Sequence, residues 1–227
     1  MEPYICQGVV LKAWPHKDWD LILSLFTGQY GIIKVYIKGG KNPKRLLQAV
    51  CTPLTLSEFV LKSSPHSEFF QLKEATVLQM HLALRENLAS LQAASEMTHA
   101  LEVSQLPGKP DPLLFSLLCL YLHLIPANPM AFAASFYLKI LLHEGLLLLT
   151  HSCPKCGIVL AEDAFLAPSG CYCPNHRPQE SLHLEDEELF FLLALAEKRS
   201  SRNIAALPAT QRFLTKIRSF FMSTCHN

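Results

Sequence analysis

Two short runs in the chain hold residues that can ligate a metal. Cys153-Pro154-Lys155-Cys156-Gly157 opens the first, sixteen residues separate Cys156 from Cys173, and Cys173-Pro174-Asn175-His176 forms the second. Two thiolates separated by two residues can grip one ion through a tight turn, and glycine behind the second lets the backbone curl. The pattern is that of a zinc ribbon with histidine in the last place. Four nitrogen and sulfur ligands close a tetrahedral shell and leave no position for water, so the expected ion is a structural Zn2+ held by Cys153, Cys156, Cys173 and His176. Cys171 is an alternative to Cys173 or His176, although C-x-C suits a knuckle less well than C-x2-H. His151 and His183 flank the motif and read as surface histidines. The plain alternative is a set of ordinary reduced thiols. Cys6, Cys51, Cys119 and Cys225 stand alone and read as small core or surface residues.

A hydrolytic zinc site would need an open coordination position and a nearby carboxylate base. There is no HExxH or comparable set, and Glu162 and Asp163 between the knuckles read as loop decoration. The chain is therefore read as a binding protein and not an enzyme.

A second constellation is basic. Lys34, Tyr36 and Lys38 alternate with Ile33, Val35 and Ile37, so on a strand they share one face. The following loop adds Lys41, Lys44 and Arg45 without an acid, and the earlier stretch Trp14-Pro15-His16-Lys17-Asp18-Trp19 holds both tryptophans. Lysines can hold phosphates while an aromatic ring stacks on a base, at about 1–3 kcal/mol per base. Lys34, Tyr36, Lys38, Lys41, Lys44 and Arg45 are the expected nucleic-acid contacts. The plain alternative is a solvated strand face, with the tryptophans closing one end of a barrel.

The elements that must position these residues divide near residue 76. Strands are expected over Tyr4–Ala13, Leu21–Phe26, Ile32–Lys38, Leu54–Leu61 and Phe69–Leu72, with turns at Gly28, Gly31 and Gly39-Gly40 and a loop at Pro65. Five short antiparallel strands suit a small closed barrel, led by the oligonucleotide-binding (OB) fold; an SH3-like barrel has a similar strand count. Beyond residue 77, Leu84, Leu88, Leu91, Ala94, Met97 and Leu101 follow the spacing of one helix face, which Pro107-Gly108 ends. Further helices are expected over Leu113–Leu124, Met130–Leu147, Glu185–Arg199 and Ala209–Met222. The fold class is thus α+β: a five-stranded OB barrel over 1–76, then an α-helical domain over 77–227 with a zinc-ribbon-like module inserted at about 150–178.

Bulk properties limit the functional classes. Half of the 227 residues are apolar, enough for a real core, and the net charge is only +1. Residues 1–76 hold nine Lys/Arg against six Asp/Glu, and the remainder eleven against thirteen, so any nucleic-acid contact is a local patch. Pro112 to Leu138 lacks charged residues, but Pro126, Asn128 and Pro129 break it into halves too short to span a bilayer. The start, Met1-Glu2-Pro3-Tyr4, lacks a basic n-region and apolar run. With eight cysteines and no such signal, a reducing, cytoplasmic setting is expected.

Several stretches, in this order and spacing, resemble the bacterial recombination mediator family RecO. They are Gly8-Val9-Val10-Leu11-Lys12, Leu25-Phe26-Thr27 with Gly31, Lys38-Gly39 opening a basic loop, Leu72, the leucine-rich helices, and Gly145 before Cys153-Pro154-Lys155-Cys156-Gly157. The resemblance implies an N-terminal OB fold, a helical domain and a zinc module. It further implies binding and annealing of single- and double-stranded DNA in recombinational repair, at the nucleoid. The implied partners are RecR and the single-strand-DNA-binding protein, with RecA loaded as a result. The family commonly has cysteine where this chain has His176, and often a Gly-Glu pair where it has His16-Lys17-Asp18. A different class of function, a zinc-stabilised protein-interaction scaffold without nucleic-acid binding, would use the apolar helices as its partner surface.

Overall fold

The computed structural model describes residues 3–42, 47–64, 67–196 and 201–226. Its contacts form two compact units, Met1–Leu88 with Thr98–His123, and Ala89–Met97 with Leu124–Asn227.

Five strands build the first unit: β1 (Tyr4–His16), β2 (Asp20–Thr27), β3 (Gly31–Ile37), β4 (Leu56–Ser64) and β5 (Ser67–Gln79). They close in the order β1-β2-β3-β5-β4. Every pairing is antiparallel except β3 with β5, where Val35 opposes Phe70 and Tyr36 opposes Gln71. That order, with one parallel closing pair, is the OB topology, and it decides between the two barrels that the strand count left open. Val10, Leu23, Leu25, Val35 and Phe59 fill the interior. Along β3 burial alternates as the pleat requires, with Ile33, Val35 and Ile37 inward and Lys34 and Tyr36 outward.

Two strands are longer than the sequence suggests. Trp14-Pro15-His16 belongs to β1, opposite Ile22, Leu21 and Asp20, so the loop before β2 shrinks to Lys17–Trp19. Proline is tolerated there because β1 pairs with β4 only from Tyr4 to Val9, which leaves the Pro15 edge without a ladder partner on that side. β5 runs on to Gln79 because its polar residues face solvent while Leu72, Ala75 and Val77 pack against the core.

β2 is covered on both faces, unlike β3. α2 (Pro112–Leu124) places the Phe115 ring 6.0 Å from that of Phe26. Between β2 and β3, Gly31 sits at φ +62°, and a Cβ there would lie 2.1 Å from the Lys109 carbonyl oxygen. The Gly108 N–H donates to the Ile32 carbonyl at 3.0 Å, extending the edge of β3.

The expected Leu84–Leu101 helix is divided. Leu84 is buried in a separate 3-10 turn, Leu82–Arg85, and α1 (Leu88–Ser104) starts after Asn87. Leu88 is exposed, whereas Ala94, Met97 and Leu101 keep the buried stripe.

In the second unit α3 (Pro129–His143) is buried along most of its length. Asn128 caps it, accepting from the Ala131 N–H and donating to the Ala205 and Leu207 carbonyls at 3.1 Å each. It ends at His143, short of the expected Leu147. Gly145 takes φ +71°, and the Leu146 and Gly145 N–H groups return to the Leu141 and Leu142 carbonyls, a Schellman stop. Three short strands, β6 (Ala164–Ala167), β7 (Gly170–Tyr172) and β8 (Leu182–Leu184), form a sheet in the order β7-β6-β8.

α4 (Asp186–Ala196) opens with the Glu188 carboxylate accepting from the Glu185 N–H at 2.9 Å. The last residues of the helix expected over Glu185–Arg199 lie outside the described residues. A short α5 (Ser201–Ile204) precedes α6 (Gln211–His226), which packs on α3 through Tyr137 and Phe221, ring centroids 4.8 Å apart. Glu96 accepts from the Tyr137 hydroxyl and from Arg218. Among the described residues, no helix is long and apolar enough to cross a membrane.

Candidate metal centre and nucleic-acid interface

Two tight turns bring four ligands together. In the first, the Gly157 N–H donates to the Cys153 carbonyl at 2.8 Å and the Cys153 N–H to the Ile158 carbonyl at 2.9 Å, with Gly157 at φ +73°. In the second, β7 runs into a 3-10 turn, Pro174–His176, closed by the His176 N–H on the Cys173 carbonyl at 3.0 Å. The ligand atoms of Cys153, Cys156, Cys173 and His176 all lie within 4.8 Å of one another.

Their spacing fits a tetrahedral ion. Metal–sulfur bonds of about 2.3 Å place two sulfurs about 3.8 Å apart, and a mixed sulfur–nitrogen edge is about 3.6 Å. Cys156 Sγ and Cys173 Sγ are separated by 3.8 Å, and His176 Nδ1 lies 3.3 Å from Cys173 Sγ and 3.9 Å from Cys153 Sγ. The four residues could therefore hold a metal ion.

The electrostatics agree with this arrangement. Burial pulls the Cys153 thiol up, but hydrogen bonds from the Cys173, Lys155 and Cys156 backbones outweigh it and bring the group down to about 6. Cys156 is raised: the Ile158 backbone favours its thiolate, but burial and the neighbouring Cys153 and Cys173 sulfurs prevail. Crowded thiolates repel, and a divalent cation removes that repulsion.

Cys171 is outside the cluster. It opposes Leu166 inside the small sheet, and burial pushes its thiol up to about 11. Burial does the same for Cys6, Cys51 and Cys119. His151 is exposed, and His183 Nε2 lies 3.2 Å from Asp163. Glu162 is exposed on the loop before β6.

The basic constellation occupies the outer surface of the barrel. Lys34 and Lys38 are exposed, and Tyr36 is half-buried. Because β3 pairs with β5, the row continues sideways: Tyr36 stands opposite Gln71, and Gln71 opposite Lys62. A cleft of about 400 Å³ opens here, lined by Tyr36, Lys38, Leu47, Gln71 and Lys73 among others. Gln71 and Lys73 come beside Tyr36 only through the parallel β3–β5 register, and Lys62 extends the row one strand further through β4–β5, so none of the three is in the set expected from sequence.

Tyr36 and Lys41 have further partners. The Tyr36 hydroxyl donates to Asp20 Oδ2, and the Gly39 N–H to Asp20 Oδ1 at 2.7 Å. The Tyr36 bond, then the Gly39 amide, hold the Asp20 carboxyl below its usual range, while the same bond raises the Tyr36 phenol. Lys41 Nζ donates to the Lys17 and Asp18 carbonyls at 3.3 Å each. Lys44 and Arg45 lie outside the described residues.

In the second unit a larger cleft of about 980 Å³ is lined by Leu146, Leu182, Phe220, Arg212 and Lys216 among others. Its cations are engaged, Lys216 with Glu188 at 2.6 Å and Arg212 with Glu185 at 2.7 Å.

A closed OB barrel joined to a helical region with a Cys3His cluster defines a two-part architecture, and comparison with known proteins gives it a family. A family model described as recombination protein O N terminal matches residues 1–81, and one described as recombination protein O C terminal matches residues 85–223. DNA repair protein RecO of Chlamydia pneumoniae is 30% identical over 202 residues, covering 88% of this chain and 79% of that protein. DNA repair protein RecO of Chlamydia trachomatis serovar L2 is 27% identical over 203 residues, covering 88% and 83%. DNA repair protein RecO of Exiguobacterium sibiricum is 24% identical over 223 residues, covering 95% and 89%. The chain belongs to the RecO family.

Proposed function

We propose that this chain is a DNA-binding mediator of recombinational repair. It binds and anneals DNA without catalytic turnover, and helps RecA load on single strands coated by the single-strand-binding protein. The observation that carries the reading is the outward row on an OB barrel, where Lys34, Lys38 and Lys73 surround Tyr36 and Gln71. Lysines on such a row neutralise phosphates and release counterions. Annealing follows from the same chemistry, because neutralised phosphates let two complementary strands approach. Membership of the RecO family and the names of the relatives support the role in DNA repair, and RecR and the single-strand-binding protein are the partners it implies.

Cys153, Cys156, Cys173 and His176 would hold a structural Zn2+. Bound there, the ion would supply a cross-link between the two knuckles, since four protein ligands suit a structural and not a catalytic role. The protein acts in the cytoplasm, at the nucleoid.

The test is annealing of two complementary oligonucleotides by wild type and by a Lys34→Ala, Lys38→Ala, Lys73→Ala variant. All three side chains are exposed, so the barrel should keep its circular dichroism and melting temperature. The expected result is annealing reduced at least tenfold. Annealing at the wild-type rate would remove the proposed surface.

A further inference from the structure

The turn between β1 and β2 is three residues, Lys17-Asp18-Trp19, and it is tied down unusually fully. Lys41 satisfies all three of its carbonyls: the backbone N–H donates to Trp19 at 2.9 Å, and Nζ to Lys17 and Asp18 at 3.3 Å each. Asp20, the next residue, holds the far side by accepting from the Tyr36 hydroxyl and the Gly39 N–H. The turn and the Lys38–Lys41 segment are therefore one laced unit. Lys17 adopts φ 51°, a left-handed conformation that a non-glycine residue keeps only where surrounding bonds over-determine it.

The turn carries one large apolar side chain, Trp19. Here Trp19 is 60% exposed, while Trp14 on β1 is half-buried. The indole thus does not close the barrel end. It stands out from a braced turn, between the exposed Lys17 and the segment that begins at the exposed Lys38.

We propose that Trp19 is a stacking platform for an unpaired nucleobase, and that Asp20 and Lys41 are the positioning residues that hold it out. This rests on the nucleic-acid reading above and adds a selectivity to it. An indole offers a flat π face that any base can cover, and a braced turn loses little further freedom when it does so. Lys17 and Lys38 would steady the phosphates on either side. In a duplex the base faces are already stacked and paired, so the platform favours single strands while the lysine row serves both.

Trp14→Phe leaves Trp19 as the sole tryptophan of the chain. Its emission is titrated with oligo(dT) and with a duplex of equal length at low salt. Strong quenching by oligo(dT) and little change with duplex are expected. Trp19→Ala, at an exposed site outside the core, should lower oligo(dT) affinity about tenfold or more, with Trp19→Phe recovering part of it and duplex affinity within about twofold of wild type. Asp20→Ala should lower oligo(dT) affinity and shorten the rotational correlation of the Trp19 emission, which simple loss of a charge would not do.

Unchanged oligo(dT) affinity in Trp19→Ala, with Trp19 emission indifferent to saturating strand, would overturn this inference and leave the lysine row standing. Wild-type protein that binds neither DNA would overturn both. Quenching of Trp19 by a polypeptide partner and not by oligo(dT) would assign the ring to a protein interface and also overturn it.

Discussion

Cys156 Sγ stands 3.8 Å from Cys173 Sγ, although 17 positions separate the two residues in the chain. That separation, reached from two independent turns, matches the edge of a tetrahedron of sulfurs around a zinc-sized ion. The purified protein should carry about one zinc per chain by elemental analysis. Cys156→Ala should abolish it and lower the melting temperature by several degrees, whereas Cys171→Ser should retain the metal. Zinc retained by Cys156→Ala, or lost in Cys171→Ser, would assign the ligands differently.

How much of this was legible in the sequence depends on the range of the signal. The knuckles are local: Cys-x2-Cys with Gly157, and Cys-x2-His after β7, carry their geometry within a few residues. The alternation of Lys34 and Tyr36 with buried isoleucine and valine is equally local. Three features were not local. The closing β3–β5 pair depends on which strands meet, and only that register places Gln71 and Lys73 beside Tyr36, with Lys62 one strand further across β5. The length of β5 was hidden because Lys73, Glu74 and Thr76 face solvent. Leu84 matched the helical spacing by coincidence, since one buried leucine in a 3-10 turn contributes the same letter to the pattern as a helix residue.

Gly31 supports the start of β3 against the chain that follows α1. A Cβ at this position would lie 2.1 Å from the Lys109 carbonyl, and φ +62° is itself unfavourable for a side chain. Gly31→Ala should therefore destabilise the barrel by about 2 kcal/mol or more, from strain and displaced backbone together. Chemical denaturation measures this, and a variant as stable as wild type would mean that the 107–109 segment yields freely. Gly108→Ala is the comparison: it has the same left-handed backbone but open space around it, so its cost should be smaller.

His81 gives the fold a pH dependence of definite sign. Its Nδ1–H donates to the Leu54 carbonyl at 2.8 Å, and Nε2 is buried without a partner among the described residues. Burial lowers its pKa, the Leu54 bond opposes this, and His123 and Arg85 add to the lowering. The unfolded chain therefore takes up a proton before the folded chain does. Stability from this group is present above about pH 6.5 and is lost as pH falls toward the folded value. His81→Asn, which tolerates the φ of 48° and keeps a donor, should flatten the melting temperature between about pH 6.5 and 5 relative to wild type. Parallel curves for the two proteins would assign the acid sensitivity elsewhere.

In the function proposed above, the lysine row on the barrel binds DNA through its phosphates. The most direct measurement is fluorescence anisotropy of a labelled single-stranded oligonucleotide titrated with zinc-replete protein at two salt concentrations. Tight binding is expected at low salt, weakening steeply at high salt by about 0.7 in the log–log slope for each phosphate engaged. No binding at low salt, or binding that salt leaves unchanged, would contradict it.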